Sequence, residues 1–198
     1  MIKVKEASAP STNPRKGRGN EVTESKAKSD NTSGKRENNI LVAYFSHSGN
    51  TRVIANQIRG SVGGDIFEIV TVDPYPTDYD EVVEQARKEL REDYRPRLKT
   101  KVETMESYKV VFVGYPNWWG TIPRPVAAFL SEYDFSGKTI APFCTHEGSR
   151  LGRSVTDIKE LRPQSTILDG LAVRGRNVKK VQNEVSEWVY RIGMKEQK

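Results

Sequence analysis

The segment Ser46-His47-Ser48-Gly49-Asn50-Thr51 places three hydroxyls, an amide and an imidazole around one glycine, directly after the apolar run Ile40–Phe45. Where such a run is a strand and the next residues open a helix, the loop gathers backbone N–H groups at a helix N-terminus. That arrangement suits a phosphate monoester; the plainer reading is a polar turn with a Ser or Thr helix cap. Two further segments have the same setting. Tyr115-Pro116-Asn117-Trp118-Trp119-Gly120 follows the run Val110–Val113. Two adjacent tryptophans at a strand end cannot both enter one core, and aromatic walls suit a flat heteroaromatic ring; one of the pair is expected to pack under the following helix. Thr145-His146-Glu147-Gly148-Ser149 follows Thr139–Cys144. It offers small polar groups and amides to the polar edge of a ring, with His146 as an edge contact or proton relay.

The elements that must position these loops are readable from periodicity. Ile40–Phe45, Val110–Val113 and Thr139–Cys144 are apolar on both faces, as central parallel strands are. Asp65–Val70 alternates and is a further strand, and Thr166–Val173 contains a fifth, interrupted at Asp169–Gly170. Between them lie helical stripes: Val53, Ile54, Ala55 and Ile58; Val82, Val83, Ala86 and Leu90 behind a cap assigned to Thr77 and Asp80; Val126, Phe129, Leu130 and Tyr133; Val155, Ile158 and Leu161; and Val178, Val181, Val185, Trp188 and Ile192. Five strands alternating with five helices predict an α/β domain, a doubly wound five-stranded parallel sheet with helices on both faces. In such sheets ligands bind beyond the carboxyl ends of the strands. All three unusual loops fall there.

Composition removes other classes. The chain has 198 residues, 35% hydrophobic and 29% charged, with one cysteine, Cys144, and two histidines. An internal disulfide and a Cys- or His-rich metal site are excluded. The net charge of +6 is uneven: residues 1–38 hold nine Lys/Arg and five Asp/Glu, the rest 23 and 21. A near-neutral body is a poor footprint for nucleic acid. Residues 1–38 lack Phe, Trp and Tyr and read as a disordered polar basic tail preceding a domain over 39–198. Neither an apolar membrane span nor a signal peptide is readable, so the expected location is the cytoplasm. The first loop lacks the lysine of a P-loop and the glycines of a dinucleotide fingerprint. It also lacks the acids of a receiver domain and the cysteine of a low-molecular-weight phosphatase. Cys144 ends an apolar strand and reads as a buried small hydrophobe.

ILVAYFSHSGNT resembles the flavodoxin phosphate-loop signature, an apolar strand leading to S/T-x-T/S-G-N-T, and YPNWWGTIP and FCTHEGS resemble the second and third flavin-binding loops of that family. The resemblance covers about residues 39–192 and is closest to the short-chain group. It implies a sheet of order 2-1-3-4-5 and one non-covalent FMN. Ser46, Ser48, Asn50 and Thr51, with the amides of His47 and Gly49, would hold the phosphate. Tyr115, Pro116, Asn117, Trp118, Trp119 and Gly120 would flank the ring, and Thr145, His146, Glu147, Gly148 and Ser149 would line its pyrimidine side. The chemistry would be FMN's, with no catalytic side chain and no metal. The partner would be a redox protein or a small electron donor or acceptor. The body is not acidic as flavodoxin carriers usually are, and His146 and Glu147 stand where small residues are common. An FMN-dependent NAD(P)H:quinone-type reductase therefore stays open beside the carrier, as does a non-redox interaction module on the same fold.

Overall fold

Each apolar run becomes a strand because both its faces find a helical layer. In the computed structural model, which describes residues 39–194, the strands are β1 (Ile40–Tyr44), β2 (Asp65–Glu68), β3 (Val110–Pro116), β4 (Thr139–His146), β5 (Thr166–Ile167) and β6 (Leu171–Arg174). They run parallel in the order β2-β1-β3-β4-β5, with β6 also on β4. The reading of residues 1–38 as a tail lies outside the described residues.

The fifth strand is two pieces on one edge. β5 pairs the start of β4, at Thr139 and Ile140, and β6 pairs its end, from Phe143 to His146. Between them the chain leaves the ladder at Asp169, whose carbonyl accepts from the Trp188 indole at 2.9 Å. β4 runs to His146, two residues beyond the sequence expectation, and so carries Thr145 and His146 into the ladder.

The helices are α1 (Asn50–Val62), α2 (Tyr79–Arg91), α3 (Arg124–Glu132), α4 (Ser154–Leu161) and α5 (Gln182–Arg191). Leu41 and Ala43 of β1, with Val111, Val113 and Ile140, pack against Val126, Phe129 and Leu130 of α3 and Ile158 of α4. The alternate residues Val42, Tyr44, Phe112, Ala141 and Phe143 pack against Ile54, Ala55 and Ile58 of α1 and Val185, Trp188 and Val189 of α5. Fully burying one such side chain contributes about 1.5–3 kcal/mol, so the two layers supply most of what holds the sheet.

The starts of α2 and α5 also differ from the sequence reading. α2 is capped by Asp78, whose Oδ1 accepts from the amides of Asp80 at 3.0 Å and Glu81 at 3.1 Å. Thr77 and Asp80 are not the cap; a carboxylate at the residue before Tyr79 reaches two free amides at once. α5 begins only at Gln182, so Val178 and Val181 of the expected stripe precede it, Val178 being buried after a short 3-10 turn, Gly175–Asn177.

Candidate functional site

β1, β3 and β4 end side by side, and the three loops that leave them meet in one cavity of about 530 Å³. It is lined by His47, Ser48 and Asn50 of the first loop, by Pro116, Asn117, Trp118 and Trp119 of the second, and by Thr145 through Ser149 of the third. Five residues named from sequence, Ser46, Gly49, Thr51, Tyr115 and Gly120, are not among its lining.

In the first loop Gly49 has φ +88° and serves as N-cap of α1. A Cβ there would meet nothing within 4 Å, so glycine is required by the backbone angle and not by space. Ser46 Oγ accepts from the Arg52 amide at 3.3 Å, and the Gly49 carbonyl accepts from the Val53 amide at 3.2 Å. The amides of residues 47–51 have no acceptor among the described residues, leaving a cluster of donors at the helix start. Thr51, 1% exposed, shares a 2.9 Å hydrogen bond with the Thr145 hydroxyl. Its hydroxyl ties the first loop to the third. His47 Nε2 donates to the Pro76 carbonyl at 2.8 Å, anchoring the loop to the segment before α2.

The second loop separates its two tryptophans. Trp118 and Thr121 exchange backbone hydrogen bonds of 3.1 Å, closing a two-residue turn over Trp119 and Gly120. Both central residues have positive φ, +53° and +78°, as a type I′ turn demands; the glycine meets that demand freely and Trp119 does so at a cost. Trp118 turns inward, edge-on to Phe45, Tyr75 and His47 with ring centroids 5.2–5.9 Å apart. Trp119 stays half-exposed and lies across α2, where its indole N–H donates to the Val83 carbonyl at 3.1 Å and the Arg87 guanidinium sits 5.5 Å from the ring. Tyr115 is fully buried in the core, its hydroxyl donating to Ser154 at 2.8 Å.

The third loop is pinned to the second. The Asn117 amide N–H donates to the Thr145 carbonyl at 2.8 Å and its side-chain Nδ2 to the Arg150 carbonyl at 2.7 Å. The Cys144 thiol donates to the same carbonyl at 3.2 Å; burial pushes that thiol up to about 12, so it is a small buried donor and not a nucleophile. Asn117 Oδ1 and His146 Nδ1 are buried with no partner among the described residues. Buried polar atoms are rarely left so, and both belong to residues that line the cavity. His146 is held below its ordinary value by desolvation first, then by the positive charges of Arg150 and Arg174, against Glu147. Its surroundings therefore favour the neutral imidazole over the cation.

Two parts of the wall escaped the sequence reading. Tyr79, Val82, Val83 and Ala86 form a fourth side, from the stripe of α2. Val82 and Ala86 are buried yet belong to neither core layer. Spacing announced the stripe but could not say that it faces a cavity. The other is Gly175, after β6. A Cβ on it would stand 2.3 Å from Glu147 Oε1 and 2.7 Å from Asn50 Nδ2, so this glycine leaves room where the first and third loops converge.

The flavodoxin family model matches residues 39–192. The chain belongs to the flavodoxin family. Among solved structures, this flavodoxin-family chain is similar to a candidate flavoprotein of Bacteroides eggerthii, with 33% identity and TM-score 0.71 over 79% of this chain and 98% of that one. Another, from Bacteroides uniformis, shows 27% identity and TM-score 0.69 over 76% and 97%. A Lactobacillus acidophilus flavoprotein in complex with FMN shares the fold at 21% identity, TM-score 0.58, over 72% and 97%. No curated protein matches. Among the described residues no helix of this flavodoxin domain is long and apolar enough to cross a membrane, and no cluster of His, Cys, Asp or Glu could hold a metal ion.

Proposed function

We propose that this flavodoxin-family chain binds one FMN non-covalently and carries electrons through it. The observation that carries the reading is the convergence of three chemically different loops on one cavity, donors at one part and aromatic and unpartnered polar groups at another. Its donor chemistry fits FMN. Ser48, Asn50 and the free amides of residues 47–51 would hold the phosphate. Trp118 and Trp119 would border the ring, and Asn117, His146 and the amides of Glu147 through Ser149 would meet its polar edge. Gly175, having no Cβ, lets the side chains of Asn50 and Glu147 approach its backbone where the first and third loops converge. When bound, FMN supplies reversible uptake and release of electrons, while the protein positions it and sets its surroundings. Neutral His146 can accept or donate one hydrogen bond without adding charge. Family membership and the FMN complex of the Lactobacillus acidophilus neighbour support the cofactor.

The α2 wall favours a second reading. Tyr79, Val82, Val83 and Ala86 extend the cavity beyond the three loops, and an apolar extension suits a small acceptor, as in an FMN-dependent NAD(P)H:quinone-type reductase.

The test is the visible spectrum of the purified protein, with the released chromophore identified by mass. FMN at one equivalent is expected, with FAD and riboflavin bound more weakly; FAD, or no flavin after reconstitution, overturns the reading. Anaerobic addition of NADH or NADPH then separates carrier from reductase, since only a reductase is bleached directly. Ser48→Ala is expected to weaken FMN by about 1.5–3 kcal/mol, the worth of a hydrogen bond to a charged oxygen, and to leave riboflavin binding nearly unchanged.

A further inference from the structure

The end of β6 carries a charge pattern that the binding of a cofactor does not use. From Gly170 to Asn183 the chain holds Arg174, Arg176, Lys179 and Lys180 and not one Asp or Glu. All four cations are exposed, and among the described residues none of them forms an ion pair. The pattern is tied to the site by backbone. Gly175, between two of these cations, lines the cavity, and Arg174 is the register partner of His146, another lining residue, across the β4–β6 ladder. Arg150, on the loop after His146, adds a fifth exposed cation from the neighbouring strand end; its positive field, with that of Arg174, reaches His146. Across the mouth the balance of charge shifts: Asp78, Asp80 and Glu81, all exposed, surround the cavity-lining Tyr79, while one group of opposite sign stands on each side, Arg87 over Trp119 and Glu147 beside Gly175.

We infer that the β6 side of the cavity mouth, Arg150 with Arg174, Arg176, Lys179 and Lys180, is the docking surface for an acidic protein partner. It rests on the redox reading only in taking that partner to exchange electrons with the site. The cations are spread over a strand end and the turn after it, and each is exposed. Groups converging on a single small anion would instead be drawn together and partly desolvated, so the layout matches a broad acidic surface better than one phosphate. Exposed charges of one sign around a site steer encounter and set orientation more than they add affinity. The acids on the α2 side would turn a uniformly acidic partner away from that side and leave one docking direction.

The test uses the full-length holoprotein, isotope-labelled, titrated at low ionic strength with a plant-type [2Fe–2S] ferredoxin as acidic probe and with cytochrome c as basic probe. Chemical shifts and calorimetry are the readouts, and flavin content is recorded separately. Ferredoxin is expected to bind, to move the amides of Arg174–Lys180, and to be released as salt shortens the screening length to about 8–10 Å. The double variant Arg174→Glu/Arg176→Glu is expected to weaken the complex by roughly tenfold or more, and Lys179→Glu/Lys180→Glu to act in the same direction. Preference for cytochrome c, or ferredoxin binding that neither variant changes, overturns the proposal. So does a loss confined to NADPH over NADH, which would assign the cations to a nucleotide phosphate. A colourless protein that still docks ferredoxin through these residues would sink the redox reading and leave the surface standing.

Discussion

Thr51, Gly175 and His146 each act in a way that their residue type alone does not reveal. Thr51 is buried with its hydroxyl on Thr145, so Thr51→Val strands that partner. The expected cost is about 1–3 kcal/mol of stability, read by urea unfolding, and the double variant Thr51→Val/Thr145→Val should cost less than the sum of the singles. Gly175→Ala introduces a methyl that must displace both Glu147 and Asn50. Both are side-chain ends that can move, so the fold should survive while FMN affinity falls several-fold; a flavin titration decides it. His146 has its folded value depressed from the ordinary 6.5, chiefly by desolvation. The unfolded chain therefore binds more protons below that pH. The stability associated with a neutral His146 is complete above pH 6.5 and falls as pH drops towards the folded value. His146→Gln is expected to flatten the decline in Tm from pH 6.5 to 5; an unchanged slope would mean that other groups set it.

At the scale of the element, α1 offers an internal comparison. Gly49 and Gly60 both have open space where a Cβ would go, so what differs is backbone conformation. Gly49 sits at φ +88° before the helix, and Gly60 lies inside it. Gly49→Ala is expected to cost about 1–2 kcal/mol, the penalty of the left-handed region for an L-residue. It should also disturb the amide cluster and weaken FMN. Gly60→Ala should gain about 0.5–1 kcal/mol by raising helix propensity. Thermal unfolding of the two variants should move in opposite directions; a shift of the same sign in both would show that the backbone argument fails. The stripe of α2 follows different rules. Its apolar side chains meet a cavity and a tryptophan indole instead of a sheet.

For the whole molecule, both faces of one parallel sheet are covered, and the site lies at the rim where strands end and side chains are free to specialise. The rim has mostly acids around Tyr79 and mostly bases after β6, with Arg87 and Glu147 the exceptions on the two sides. Residues 1–38 carry +4 of the +6 net charge and almost nothing apolar. Their deletion is expected to leave Tm and FMN affinity nearly unchanged and to lower salt-sensitive association in general. The effect of Arg174→Glu/Arg176→Glu should persist in the shortened chain. A large fall in Tm on deletion would mean that the segment packs on the domain.

The apolar runs at residues 40–45, 110–113 and 139–144 determined the parallel sheet, because a strand covered on both faces has no polar side to show. Their polar and aromatic sequels announced a site, because in such a sheet those positions can only lie at the carboxyl edge. Local pattern could not go further. Trp118 and Trp119 are equivalent in sequence, and only the turn that gives Trp119 and Gly120 positive φ sends one ring inward and the other onto α2. Tyr115 stands in the loop's own sequence yet is a core residue, because β3 runs to Pro116 and its alternation turns that ring towards Ser154. Whether the stripe of α2 meets a core or a cavity, and whether Gly175 is a spacer or an ordinary turn, depends on what arrives from 28 to 125 residues away in the chain. Periodicity reports which side of an element is apolar; only the packed sheet decides what stands opposite it.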